Sequence, residues 1–276
     1  ISSPFSFRPN ISTPMFKKIK PGSRTESVVW GCLSFIGLVL LWQVLVIVTG
    51  TKLFPGPFVV LSRFFEAFVV PLGPYTLVGH VLWSLSRVLV GYTLAAVLGI
   101  TLGLTMGWFP VVQAIFKPLF DLLRPIAPLA WIPLAILWLG IEERSKYFLI
   151  FVASFVPFTL NAYAGAVKTD RQLIGASRML GSTERQLFFK IVVPSSVPSI
   201  FSGAQVALSN AWMTMLAAEM IRSSYGIGWV IIAGQQINDM SQMIAGMLAI
   251  GIVGFLLASG MRLLERRLLV WNNQGR

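Results

Sequence analysis

The side chains best equipped for chemistry are ionisable groups set inside apolar stretches: His80 and Arg87 in one, Lys117, Asp121 and Arg124 in another, and Glu219 closing a third. In a low-dielectric setting a charge either marks a polar route or is cancelled by an opposite charge. The spacing permits both readings. Asp121 and Arg124 stand three apart and could neutralise each other on one helix face. Glu219 reads as a structural pairing near the outer end, Arg87 as a side chain that could snorkel, and His80 as an interfacial residue rather than a proton carrier. Covalent catalysis is not indicated, because Ser, Asp and the single His lack the spacing of a nucleophile and base. No G-x-x-x-x-G-K-[ST] phosphate cradle occurs. One cysteine, Cys32, and one histidine argue against a disulfide and a metal centre.

A polar stretch between two apolar runs is built differently. Gly175-Ala176-Ser177-Arg178-Met179-Leu180-Gly181 is followed, nine residues later, by Ile191-Val192-Val193-Pro194. Lys168, Arg171, Arg178, Arg185 and Lys190 surround it, which the positive-inside bias places on the cytoplasmic side. Leu173, Ala176 and Leu180 share a helical face, Gly181 ends the turn, and Thr183-Glu184 restart a helix behind a Ser182 cap. The second helix carries Leu187, Phe188 and Ile191 up to Pro194, which suits the first turn of the next span. The expectation is a bent surface element shaped to fill a partner's cleft.

The elements that must position these residues are membrane helices. Apolar residues make up 55% of the chain and charged residues 12%, with a mean hydropathy of +0.77; soluble domains average roughly 45–50% and about 25%. The 276 residues leave room for one membrane domain, since a span needs about 20 residues. We expect a basic cytoplasmic tail over 1–27, a membrane domain over 28–267 and a short cytoplasmic tail over 268–276. Residues 28–49 are longer than a cleavable signal core and read as the first span. Residues 53–68 read as an amphipathic helix on the outer surface.

Residues 81–107 read as the second span, with Gly91, Ala95, Gly99, Gly103 and Gly107 forming a small-residue ridge for close packing. Residues 111–141 hold Pro125, Pro128 and Pro133 beside Lys117, Asp121 and Arg124. Either 111–123 lies along the surface and 125–139 spans, or the whole stretch is a broken span facing protein or water. Residues 142–146 read as an outer loop, 147–167 as the fourth span and 198–218 as the fifth. Residues 222–239 read as an external segment that turns at Gly226 and Gly228 and dips back, and 243–261 as the sixth span. Fourteen of the 22 Lys and Arg fall on the cytoplasmic side of this layout, which explains the net charge of +12 through anionic lipid rather than nucleic acid.

The spacing of the basic stretch resembles the coupling loop of ABC importer permeases, whose pattern is Glu-Ala-Ala, three residues, Gly, nine residues, Ile-x-Leu-Pro. Here Gly175 replaces the Glu and Val193 the Leu. Further stretches resemble the nitrate, sulfonate and bicarbonate (taurine-type) branch of that family: His80, Ser84 to Gly91, Arg124 to Leu134, Ala217-Ala218-Glu219 and Gly226-Ile227-Gly228. The similarity is greatest to the cyanobacterial nitrate/nitrite permeases, and the motifs do not separate these from the bicarbonate permeases. The resemblance implies an all-α polytopic fold, the type I ABC importer transmembrane domain with about six membrane helices. It implies a multi-pass inner-membrane homodimer with both termini cytoplasmic, two ABC ATPase subunits that bind ATP and Mg, and an extracytoplasmic substrate-binding protein.

On that basis the coupling residues are Gly175, Ala176, Ser177, Arg178, Gly181, Glu184, Ile191 and Pro194, within a loop over 168–196. The translocation path of a small oxyanion, nitrate or nitrite first, is expected among Arg87, Arg124, Pro128, Trp131, Met213, Met215 and Glu219, with Trp212 beside them. The Met and Trp residues fit core packing as well as a gate. A stand-alone secondary carrier is the competing reading, although no repeat is visible. A membrane scaffold or lipid-embedded enzyme is disfavoured by the absence of a reactive constellation.

Overall fold

Lipid offers the backbone no hydrogen-bond partners, so apolar runs of this length close their own bonds as helices. The computed structural model of the chain describes residues 24–50 and 55–269. Helix α1 (Arg24–Thr49) forms a unit of its own, and Val29–Thr49 within it is long and apolar enough to cross a membrane. The expected tail before residue 24, residues 51–54 and the last seven residues lie outside the described residues.

The second unit begins at Phe58. Helix α2 (Pro57–Glu66) is amphipathic as expected: Val60 and Phe64 are buried while Arg63 pairs with Glu66 at 3.1 Å. Helices α3 (Leu77–Trp108), α6 (Glu143–Val167) and α9 (Val193–Arg222) form the centre, with α6 between the other two. The glycine ridge of α3 explains that contact. A Cβ on Gly91 would lie 2.7 Å from Ile150, one on Gly99 2.9 Å from Phe158, and one on Gly103 2.7 Å from Ala162. Helix α10 (Ile227–Gln236) packs on α9 and on α11 (Met240–Leu268). The spans α3, α9 and α11 are longer than the sequence suggests, and Glu143 to Lys146, expected in a loop, form the first turn of α6.

Between α3 and α6 the chain breaks. Helix α4 (Pro110–Leu123) starts on a proline at its first position, where no N–H is missed. A short 3-10 turn (Pro128–Trp131) then leads into α5 (Ile132–Leu139), and the two arms meet at 91°. Ala127 is extended, at φ −60° and ψ 138°, as the clash with the Pro128 ring requires. Among the described residues there are therefore five helices able to cross a membrane, or six counting the bent pair. Of the charged residues in this proline-rich stretch, Lys117 and Asp121 lie in α4 and Arg124 caps its end at the break.

Beyond α6 come α7 (Arg171–Met179), a four-residue helix α8 (Glu184–Leu187) and a π turn (Phe188–Val192) that runs straight into α9. Gly103→Val should lower the stability of the detergent-solubilised protein by about 1–3 kcal/mol through overpacking against α6. Gly251→Ala, which meets nothing within 4 Å, should not. Thermal unfolding of the two variants side by side checks this, and equal midpoints would refute the packing.

Candidate functional site

Three features carry the polar chemistry. The first is a buried charge cluster at the end of α3 nearest α10. His80, Ser84 and Arg87 fall on one face of α3 at spacings of four and three, and all three are fully buried. The Arg87 guanidinium forks onto Glu143, Nε to Oε2 at 2.5 Å and Nη2 to Oε1 at 2.8 Å. Its Nη1 donates to Glu219 Oε1 at 2.6 Å and to the Tyr225 carbonyl at 3.2 Å. Lys146 donates to Glu143 at 2.7 Å and to Ser223 at 2.9 Å. Two cations and two carboxylates thus sum to zero, which is the condition for keeping them out of water. Arg87 does not snorkel; its whole side chain is enclosed.

Glu219 is held from a second direction. The Ser84 hydroxyl lies 2.8 and 3.0 Å from its two oxygens and donates to the carboxylate, while Gly228 N–H donates to Oε2 at 3.0 Å. The carboxylate therefore lies against the N-terminal turn of α10, where orphan N–H groups and the helix dipole favour negative charge. This explains Gly226-Ile227-Gly228: a Cβ on Gly226 would overlap the Glu219 carboxylate, and one on Gly228 would lie 2.8 Å from the Leu216 carbonyl. Gly226 also has φ +118°, a conformation open to glycine at no cost. Burial, and then the Glu143 charge, push the Tyr225 phenol up, so its ring stays neutral 4.7 Å from the Arg87 guanidinium.

His80 has its tautomer fixed by its neighbours. Nδ1 accepts the Gly226 N–H at 3.0 Å, so the proton sits on Nε2, which donates to the Leu72 carbonyl at 2.8 Å. The ring also stacks on Trp229 with centroids 5.3 Å apart. It is a neutral, doubly bonded strut inside the protein rather than an interfacial residue.

The second feature is a cavity of about 750 Å³ between α4, the bend, α6 and α9. Lys117, Asp121, Arg124, Pro128 and Trp131 line one side, and Asn161, Tyr163 and Asn210 stand on α6 and α9. No ion pair joins Asp121 to Arg124 among the described residues. The expected path residues therefore separate. Arg124, Pro128 and Trp131 share the cavity, Arg87 and Glu219 belong to the charge cluster, and Met215 is buried in the core with Trp212. Met213 is 70% exposed on a small groove of about 260 Å³ between α9 and α11.

The third feature is the elbow after α6. Asp170 caps α7 by accepting the Gln172 N–H at 2.8 Å. The far end closes as a Schellman turn: Ser182 N–H reaches the Ser177 carbonyl at 3.1 Å and Gly181 N–H the Arg178 carbonyl at 3.0 Å, with Gly181 at φ +81°. Thr183, not Ser182, then caps α8. Its hydroxyl accepts the Gln186 N–H while the Gln186 side chain accepts the Thr183 N–H, a reciprocal capping box that Ser182 could complete only with Arg185. Arg178 and Glu184 bridge the bend through two bonds of 2.9 and 3.1 Å. Met179 and Leu180 at its tip are 89% and 87% exposed. Gly175, Ala176 and Ser177 lie in α7, and Ile191 and Pro194 in the continuous helix beyond.

Fold, cavity and elbow together are those of a membrane transport subunit, and sequence comparison places the chain within that class. Residues 95–270 match the family described as the binding-protein-dependent transport system inner membrane component, and the chain belongs to it. It is 36% identical over 235 residues to a provisionally named ABC transporter permease of Methanocaldococcus jannaschii, covering 84% of this chain and 88% of that one. It is 33% identical to the taurine transport system permease of Escherichia coli (92% and 93% covered) and 34% to the nitrate import permease of Synechocystis (83% and 84%). A bicarbonate transport permease of Synechocystis is 37% identical over 66% of each chain. An inward-facing structure of the MetNI methionine ABC transporter shares the fold, with a TM-score of 0.58 at 18% identity over 69% of this chain and 95% of that one. The chain is thus a multi-pass inner-membrane permease subunit of an ABC importer, not an enzyme.

The sequence does not single out Ser84, Glu143, Lys146 and Tyr225 as members of the cluster, or Asn161 and Asn210 as cavity residues. The Ser84-x-x-Arg87 spacing and the three-residue step from Glu143 to Lys146 are their only local signals. Arg87→Met should cost about 3–5 kcal/mol by stranding buried carboxylates, and adding Glu219→Gln should recover part of that loss. Thermal unfolding of the single and double variants measures both, and purely additive losses would contradict a coupled cluster.

Proposed function

We propose that the chain is the permease of an ATP-driven importer for a small oxyanion, with nitrate or nitrite as the first candidate and bicarbonate or a taurine-like sulfonate as the alternatives. The names of the relatives support the class: taurine, nitrate and bicarbonate each present oxygens sharing a negative charge. Their comparable identities do not favour one of them. The exposed elbow carries the rest of the reading, because a rigid, doubly capped bend ending in two bare apolar side chains is suited to a partner's cleft.

In this reading two copies of the chain meet two ATPase subunits that bind ATP and Mg, and an extracytoplasmic binding protein delivers the anion. The elbow and both termini face the cytoplasm, as the placement of Lys and Arg favours, in a cyanobacterial inner membrane. Residues 28–267 make up the permease domain. Nucleotide binding closes the ATPase pair, the elbows move as rigid bodies, and the cavity lined by Arg124, Pro128 and Trp131 turns outward; hydrolysis returns it. Arg87 and Glu219 brace the outer end, Met215 acts through packing, and Met213 faces the groove between α9 and α11.

Gly181→Val forces a β-branched residue into a left-handed conformation, and paired charge reversal at Arg178 and Arg185 removes the bridge to Glu184. Each should lower ATP-driven uptake in proteoliposomes about tenfold, a loss of about 1.4 kcal/mol of coupling, while ATP hydrolysis and insertion persist. Fully coupled uptake in both variants would refute the elbow assignment. Titrating the cognate binding protein with nitrate, bicarbonate and taurine identifies the substrate.

A further inference from the structure

The structure has two kinds of charged residue among its helices. Arg87 and Lys146 are tied to Glu143 and Glu219 within the cluster. Lys117, Asp121 and Arg124 make no ion pair and no side-chain hydrogen bond among the described residues, although they stand four and three positions apart and line the same cavity. All three are exposed to that cavity. The wall across from them is largely apolar, and Asn161 and Asn210 are the two amides set into it. Asn161 uses one N–H on the Pro157 carbonyl at 2.8 Å and keeps its second, and Asn210 makes no side-chain hydrogen bond among the described residues. Polar groups that open onto a cavity and are not used within the protein remain available to a polar ligand.

Resting on the importer reading, we propose that Lys117, Arg124, Asn161 and Asn210 form a transit site for a singly charged oxyanion, and that Asp121 is its release residue. Two cations attract the anion, and the neutral amides donate to its oxygens without bringing a charge that must itself be desolvated. Left alone, two uncompensated cations would trap their cargo. A transport site must bind well enough to fill and weakly enough to empty. Asp121 limits the cavity's charge to one net positive, which a monovalent anion neutralises and a divalent anion overshoots. Asp121 thereby also disfavours sulfate without any shape code.

The test uses the complete transporter in proteoliposomes, with ATP-driven uptake of nitrate, bicarbonate and taurine measured across concentration and sulfate as the divalent probe. Asp121→Asn should lower both the half-saturating concentration and the maximal rate, about five- to tenfold, and should admit sulfate. Asp121→Glu should restore wild-type behaviour. Lys117→Met and Arg124→Met should raise the half-saturating concentration by a similar factor with a smaller change in maximal rate, at unchanged thermal midpoints. Asp121→Asn with both parameters unchanged, or with a raised half-saturating concentration, would overturn the site while uptake that still needs ATP and an intact Gly181 leaves the importer reading standing. Wild-type uptake that proceeds without ATP would instead overturn that reading. Should Asp121→Asn not insert, the two cation variants decide the matter alone, since neither raising the half-saturating concentration is incompatible with the proposal.

Discussion

A guanidinium can be enclosed in a membrane protein only if anions enclose it in turn, and Arg87 meets that demand with two carboxylates from two different helices. Glu143 begins α6 and Glu219 sits near the end of α9, so satisfying one side chain of α3 fixes all three central helices at one end. The same requirement reaches further. Once Glu219 is committed to Arg87, its remaining oxygen capacity accepts the Gly228 N–H and thereby seats α10, while His80 and Ser84 hold the approach to that helix through Gly226 and Ile227. Substituting any one member leaves the others charged or polar without partners, and this makes the cluster a cooperative unit rather than a set of separate contacts.

The opposite physical choice prevails at the cavity. There, prolines deny the backbone a continuous helix, the chain bends through about a right angle, and charged side chains are left without partners among the described residues. The structure-building charges are paired, with Arg87 and Glu219 fully enclosed, whereas among the described residues those beside the bend are accessible and unpaired. The division follows from which helix faces are packed by glycine and which are opened by proline: Gly91, Gly99 and Gly103 draw α6 against α3, and Pro125 and Pro128 turn the following segment away.

Much of this was legible in residue order alone. Hydropathy and charge placement give the spans and the break between α4 and α5, and the spacing from Gly175 to Pro194 gives the bent element at the right place. The four-residue glycine ridge of α3 gives its packing face. The expectations that failed for charged residues did so where long-range contact overrides local signal. Glu142 to Lys146 look like an exposed polar loop because nothing nearby in sequence shows that Glu143 and Lys146 have partners on α3 and at Ser223. Arg87 looks free to reach an interface because its carboxylates lie 56 and 132 residues away. The cap moved from Ser182 to Thr183 because the deciding partner is Gln186 three residues on, and only Thr183 stands at that distance.

The helix from Glu184 to Ile221 runs without a break for 38 residues. At about 1.5 Å per residue it measures roughly 57 Å, nearly twice the hydrocarbon thickness of about 30 Å. Its first turn is the exposed bend and its last turns carry Glu219. A torque applied at the bottom of such an axle reaches the top unless something along it yields. Its irregular places are the looser-wound turn at Phe188–Val192, directly above the bend, and Pro198, whose ring removes a backbone N–H from the helix interior. That turn and Pro198 are therefore where such a shaft can yield, and the regular turns beyond Pro198 carry Glu219 to its place beside Arg87.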